Sequence, residues 1–336
     1  MKIPETTYGS DKDGLVCAYL FEREGKGRAA DGDETARWLA SPPEDESFLW
    51  LHFNVANAAA ERFMQQHLDL PEVFHESLHE ETGSTRVEQA GDRLVAVVHD
   101  VLFDFAFDAS HASSVNLCVG RRFMVSARAK PLRSIDRLRE SVRQGETFRS
   151  PAELLAHLLR DQADVLVKIL RDGTGRVNAV EDSLLANRVG SSRAQLGTLR
   201  RVLVRLQRLL APEPAALFRL LSRPPAWLEE QDLQDLREAA EEFSAAVADS
   251  AALVERTKIL QEELAALLNE RTNRTLFILT VVTVLALPFN VIGGLFGMNV
   301  RGIPFGEHPS GFWIIVFLVA AFTGMAAYRA RGKRPR

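Results

Sequence analysis

The sequence predicts an α+β membrane protein, with an N-terminal α/β body, a long helical stalk and two apolar helices at the C-terminal end. Three observations predict it. Over the first 150 residues, apolar runs of strand length alternate with Gly, Asp and Pro signals. Neither Gly nor Pro interrupts the 62 residues 226–287. Two uncharged runs then follow, 24 residues at 275–298 and 18 at 311–328.

Whole-chain averages conceal this organisation. The 336 residues are 46% hydrophobic and 26% charged, with a formal net charge of -4. Such values exclude a disordered chain, a collagen-like repeat and a polytopic helix bundle, and so mild a charge names no partner. Cys17 and Cys118 form no CxxC pattern, so neither a disulfide framework nor a zinc finger is expected, and both positions read as buried and apolar.

The expected strands are 15–21, 48–53, 94–103, 115–119 and 123–127. Pro71 and Pro131 each open a short helix, where a fixed φ and a missing N–H suit the first turn. At Pro151 the apolar spacing becomes helical, and Ser150 with Glu153 forms a capping box. Breaks are expected around Gly190 and around Pro212, Pro214, Pro224 and Pro225. An unbroken 226–287 helix would be roughly 93 Å long, a stalk leading into the first apolar run.

The uncharged runs would span roughly 36 Å and 27 Å as helices, against about 30 Å of bilayer hydrocarbon, and Trp313 and Tyr328 sit near the ends of the second as interfacial anchors. Arg271 and Arg274 precede the first run, while Arg329, Arg331, Lys333, Arg334 and Arg336 follow the second. The positive-inside rule then places both termini in the cytoplasm. The first residues carry no apolar stretch that would serve as a signal peptide. The expected divisions are a cytoplasmic α/β domain at 1–150, a helical and stalk region at 151–274, spans at 275–298 and 311–328, an external loop at 299–310 and a basic tail at 329–336.

Charge is segregated along the body. Residues 226–272 hold 12 acids and 4 bases, whereas Arg188, Arg193, Arg200, Arg201, Arg205 and Arg208 make a basic helical region. These two segments are expected to face each other within or between subunits. No aromatic pattern accompanies the arginines, and nucleic acid is not an expected partner.

One local motif fits metal chemistry. His75, Glu76 and His79 match HExxH, in which two histidines one helical turn apart can hold zinc and the glutamate can act as a base. A third ligand is missing, because Glu80 and Glu81 follow too closely to complete the geometry from the same helix. No phosphate loop, nucleophile elbow or paired Cys/His arrangement occurs. The chain is therefore not expected to be an enzyme or to need a cofactor.

The first apolar run carries more information. A step of seven gives Glu255, Glu262, Asn269, Leu276, Thr283 and Asn290, and the interleaved set gives Ile259, Ala266, Asn273, Thr280, Leu287 and Gly294. Together they place acids, then amides, then hydroxyls among apolar constrictions on one narrow helix stripe. Polar groups at membrane depth face protein or a water-filled path. Two spans cannot enclose such a path, so a ring of identical chains is expected.

Gly297, Met298 and Asn299 then form a GMN tripeptide at the outer end of the first run, followed by a short loop, a second run and a basic tail. In this arrangement the sequence resembles the CorA superfamily of divalent-cation transporters. The run GMNVRGIPF is more similar to its zinc-transporting ZntB branch than to the magnesium branch, and residues 84–101 resemble the family's cytoplasmic strands. The resemblance implies a homopentameric funnel in the bacterial inner membrane, with Asn299 meeting the incoming ion. Asn290, Leu287, Thr283, Thr280, Leu276 and Asn273 would line the path inward, with Gly294 on the same face. Arg301 departs from the small residue expected beside the mouth, where Glu307 and His308 are its neighbours. Glu255 and Glu262 would gather cations at the cytoplasmic end. Zinc uptake is the expected transport, with Mg2+, Co2+ and Ni2+ as further cargo. A magnesium or cobalt channel of the same family is the alternative, and a membrane-anchored zinc hydrolase using His75, Glu76 and His79 is the alternative of another class.

Overall fold

The computed structural model describes residues 9–43, 45–79, 85–102, 104–108, 111–186, 192–298 and 309–332. The chain divides into two compact units, Met1–Gln261 and Glu262–Arg336.

The first unit is built on a seven-stranded sheet of order β2-β1-β3-β7-β6-β5-β4. Its strands are β1 (Leu15–Phe21), β2 (Gly27–Ala29), β3 (Phe48–Asn54), β4 (Arg86–Ala90), β5 (Arg93–Val101), β6 (Ala112–Val119) and β7 (Phe123–Arg128). All five expected strands are present, within about two residues at each end except at the start of β6. The sequence reading missed β2 and β4. Each is an edge strand with little burial, so neither carries the apolar run that marked the others. The parallel pair in the sheet is β3 with β7, where Trp50 lies opposite Met124 and His52 opposite Ser126.

Strand alternation sends side chains to two cores. One face of the sheet, with Leu51, Phe53, Val95 and Val125, packs with Phe63, Met64 and Phe74 from α2 (Ala58–His67) and α3 (Glu72–His79). On the same side lies α1 (Gly32–Ala40), which brings Ala36 and Leu39 to that core. The other face, with Phe48, Trp50, Ala96, Leu117 and Met124, packs against α4 (Arg133–Arg143), α5 (Pro151–Leu185), α7 (Pro212–Leu221) and the first turns of α8 (Glu230–Phe296). The change of pattern at residue 150 is thus a change of secondary structure, and the core runs across it. Ser150 accepts from the Glu153 amide at 3.0 Å to start α5, and its hydroxyl donates to Asp232 of α8 at 2.6 Å.

Between α5 and α7 lies α6 (Ser192–Leu210). Within the chain, the charges of α8 pair with residues outside α6. From α8, Arg256 joins Glu181 of α5 at 2.6 Å, and Asp235 joins Arg149 and Arg160. The link from α6 is a hydrogen bond, Arg200 to Gln261 at 3.1 Å. Four exposed α6 arginines, at 193, 201, 205 and 208, have no carboxylate partner within the chain among the described residues. Cys118 is buried as expected, but Cys17 is only half-buried, because it lies near the end of the sheet beside Arg139. Burial still pushes both thiols up, to about 11 and about 12, so neither is a thiolate at neutral pH.

The second unit holds the end of α8 and α9 (Gly311–Gly332). The expected stalk helix begins later than residue 226: α8 starts at Glu230, after a turn that Pro225 closes with the Leu228 amide at 3.1 Å, and as expected it runs on into the apolar stretch, through Pro288 to Phe296. Proline lacks only the N–H that would have reached Val284, and the neighbouring turns hold the helix together. Of the described helices, α8 is long and apolar enough to cross a membrane, while the apolar part of α9, Gly311–Met325, is shorter.

Candidate ion pathway

The second unit lacks a core of its own size. Leu276, Ile278, Leu279, Val282, Val284, Leu287, Phe289 and Leu295 of α8 are all at least half exposed, as are Trp313, Phe317 and Tyr328 of α9. Helices that are apolar around their whole circumference and uncovered by protein belong in lipid or against other chains.

Burial nevertheless distinguishes two sides of α8. Phe277, Val281, Leu285, Pro288 and Ile292 are half-buried, at steps of three and four, and on α9 Gly311, Ile315, Val319 and Thr323 are covered at steps of four. This is the pattern of two helices packed along one face each. The stripe of Asn273, Leu276, Thr280, Thr283, Leu287, Asn290 and Gly294 lies on the far side of α8, and every one of these residues is exposed. Among the described residues nothing in the chain covers that side.

The hydroxyls on this stripe are already engaged. Thr280 donates to the Leu276 carbonyl at 2.8 Å and Thr283 to that of Leu279 at 2.9 Å, as Thr272 and Thr275 do one and two turns earlier. Donation to the i-4 carbonyl uses the only hydroxyl proton and leaves the oxygen lone pairs outward. What the stripe offers an ion or its water shell is therefore acceptor oxygen, which suits hard hydrated cations and not anions. The reading from spacing missed the Val284 carbonyl, freed by Pro288 four residues on; the rule that proline removes the i to i-4 bond was enough to find it.

At the C-terminal end of α8, the Gly297 amide bonds the Gly293 carbonyl at 3.0 Å and Met298 that of Leu295 at 3.4 Å, closing the helix just before the tripeptide's last residue. A side chain at Gly297 would meet the Gly293 oxygen at 3.0 Å, whereas Gly293 and Gly294 face open space. Asn299, Arg301, Glu307 and His308 lie outside the described residues.

On the N-terminal side of the stripe Glu262 is exposed, and Glu255, also exposed, is partly neutralised by Lys258 at 3.1 Å. The HExxH residues sit on α3 in the body, where His79 meets Glu61 of α2 at 3.1 Å. Glu80 and Glu81 are outside the described residues, and among the described ones no group of three His, Cys, Asp or Glu side chains is placed to hold a metal.

The family model described as "CorA-like Mg2+ transporter protein" matches residues 45–331. The chain belongs to this CorA-like family. It is one of divalent-cation transporters, and the α/β body with its long helix is the arrangement its solved members share. The divalent cation transporter CmaX of Pseudomonas aeruginosa is 28% identical over 324 residues, 95% of each chain. The zinc transport protein ZntB of Pectobacterium atrosepticum is 23% identical over 324 residues, 96% of this chain and 97% of that one. Among solved structures, full-length CmaX superposes with a TM-score of 0.82 at 26% identity, covering 96% of this chain and 99% of that one. The CorA magnesium transporter of Methanocaldococcus jannaschii shares the fold with a TM-score of 0.75 at 19% identity, over 94% of this chain and 98% of that one.

Proposed function

We propose that the chain assembles as a homopentamer in the bacterial inner membrane and carries divalent cations inward along a central path lined by α8, with zinc as its main cargo. The observation that carries this reading is the uncovered stripe of acceptor oxygens on α8, opposite its half-buried side. A ring of copies would cover that stripe, turn it into a continuous lining and repeat Glu255 and Glu262 at the cytoplasmic end. In this reading α9 is the second span, both termini are cytoplasmic, and loop 299–310 with the Asn299 ring meets the ion outside.

The lining has no nitrogen or sulfur ligand of the kind bare zinc prefers. Zinc would pass with its water shell, held by Asn299 and Asn290 through outer-sphere contacts. An inward-negative potential supplies about 2.3 kcal/mol per charge per 100 mV, roughly 4.6 for a divalent ion, so the path needs no nucleotide. The same oxygen-only lining supports a second reading, Mg2+ or Co2+ as the main cargo, because hydrated Mg2+ is at ease among oxygens.

The test is flux of Zn2+, Mg2+, Co2+ and Ni2+ into proteoliposomes, with and without a pH gradient. Zn2+ uptake exceeding that of Mg2+ is expected, and the opposite ranking replaces the first reading with the second. Asn299→Ala should abolish flux and Glu76→Ala should leave it intact; the reverse pair of results would return the chemistry to the HExxH helix.

A further inference from the structure

The body contains a buried acid that neither the transport path nor the core accounts for. Glu213, in the first turn of α7, is 0% exposed. Its Oε1 accepts from the backbone N–H of His99 in β5, while Oε2 has no hydrogen-bond partner. Gln162 of α5 is 3% exposed, reaches the same carboxyl, and donates from Nε2 to the His99 carbonyl at 2.6 Å. Its Oε1 is likewise without a partner. Two buried oxygens thus lack a donor at a point where three elements meet, and a single proton on Glu213 would supply it.

Among the described residues no base acts on this carboxylate. From β5 the charged neighbour is Asp100, of the same sign, which accepts from the Val101 and Ser134 amides at 2.7 Å each, with Arg133 of α4 acting on Asp100. His99 turns its ring to Thr85, whose hydroxyl donates to the Leu209 carbonyl at the end of α6 at 3.2 Å. The charged residues of β4, Arg86 and Glu88, pair with each other at 3.9 Å and alternate away from Val87, the residue on the α7 side. The carboxyl's neighbours His99, Asp100 and Gln162 line, with Leu166, Leu210 and Phe243 of α8, a cavity of about 10 Å3, too small to hydrate an ion.

We propose that Glu213 is a proton-binding site: as the neutral acid it donates from Oε2 to Gln162 and ties the α6–α7 corner to β5, and on ionisation it lets that corner go. When the proton leaves to water, the O–H donor is lost and two like charges, Glu213 and Asp100, share a dry site. Burial, with Asp100 adding to it, holds the Glu213 proton far above the ordinary carboxylate range, and burial likewise raises Asp100 to about 6. Alkaline pH would therefore loosen the corner, whose Leu210 shares that cavity with Phe243 of α8.

This inference does not depend on the transport reading, because its test follows backbone opening. Hydrogen exchange of full-length protein in detergent, corrected for intrinsic rates, is measured at the His99 amide and across α7 from about pH 6 to about pH 9. Wild-type protection should fall roughly tenfold or more over that range, while Glu213→Gln, neutral at every pH, stays closed. An infrared difference between wild type and Glu213→Gln at neutral pH should contain a protonated carboxylic carbonyl band. Asp100→Asn keeps the acid and removes the like charge, so Glu213 ionises with less repulsion and the fall in protection over that range should be smaller than in wild type. Protection that is flat with pH in wild type, or a missing carboxylic band, would overturn the proposal.

Discussion

The two units of this chain treat polar groups among apolar surroundings in opposite ways. In the body, polar side chains inside the sheet are tied to partners from other strands. Arg128 donates to His52 at 2.8 Å, His52 meets Ser126 at 2.8 Å, and Trp50 donates to the Ser126 hydroxyl at 2.9 Å. Burial keeps His52 well below its ordinary range, with Arg128 adding to this, so the ring is neutral and Arg128 holds the charge. In the second unit the hydroxyls of Thr280 and Thr283 bond their own helix instead, and both residues are exposed. Cross-links of the first kind specify one fold for one chain. Self-satisfied groups of the second kind make a helix that is complete alone and free to be lined up with copies of itself.

That contrast predicts where substitutions will act. The largest effect expected is Asn290→Leu, which leaves the body intact and should lower proteoliposome flux roughly tenfold or more, since a polar group at membrane depth is replaced by a constriction. Unaltered flux would place the path off this stripe. Trp50→Ala should destabilise the body by about 3–5 kcal/mol in denaturant unfolding, because a fully buried ring and its bond to Ser126 are lost together. Ser150→Ala removes the cap of α5 and the tie to Asp232 and should cost about 1–2 kcal/mol, read as a lower melting temperature.

A smaller effect depends on pH. His157 is held above its ordinary value: burial lowers it, but Asp161 at 3.3 Å and Glu146 at 3.1 Å more than offset this. Its contribution is complete below the unfolded histidine value and fades as pH rises through the folded one. Wild type should therefore exceed His157→Gln in stability by below about 1 kcal/mol in mildly acidic buffer, with the gap closing at alkaline pH. Smallest of all, Thr280→Val with Thr283→Val should leave helix content and melting within about 0.5 kcal/mol, because each hydroxyl serves only its own helix. A large loss would mean the stripe is held by another element after all.

Much of this was legible in the sequence because the signals were local. Strands β1, β3, β5, β6 and β7 are apolar runs, Ser150 and Glu153 are a capping box, and the stripe from Asn273 to Gly294 follows from helical period alone. The first residue of α8 was misplaced because Pro225 marks a turn that closes at Leu228, not a helix start. The expected span 275–298 crosses Pro288, and a helix there need give up only one bond to keep going. The Glu213 site could not be read, since Pro212-Glu213-Pro214 looks like an ordinary acidic first turn. Its meaning arises from His99 and Gln162, 114 and 51 positions away. Which α8 acids meet a base was equally hidden, because it depends on how α5 and α6 lie beside α8.

The continuity of α8 from Glu230 to Phe296 has a consequence for phase. In a helix without a break, angular position is counted from one end to the other, about 100° per residue. One residue inserted between Thr283 and Asn290 would turn Asn290 and Gly294 by that angle relative to Asn273 and Thr280 and swing them off the line. Seven inserted residues would bring the stripe back to within about 20° of its original bearing. The helix is thus a dial as well as a rod: spacing alone decides which residues share its exposed side.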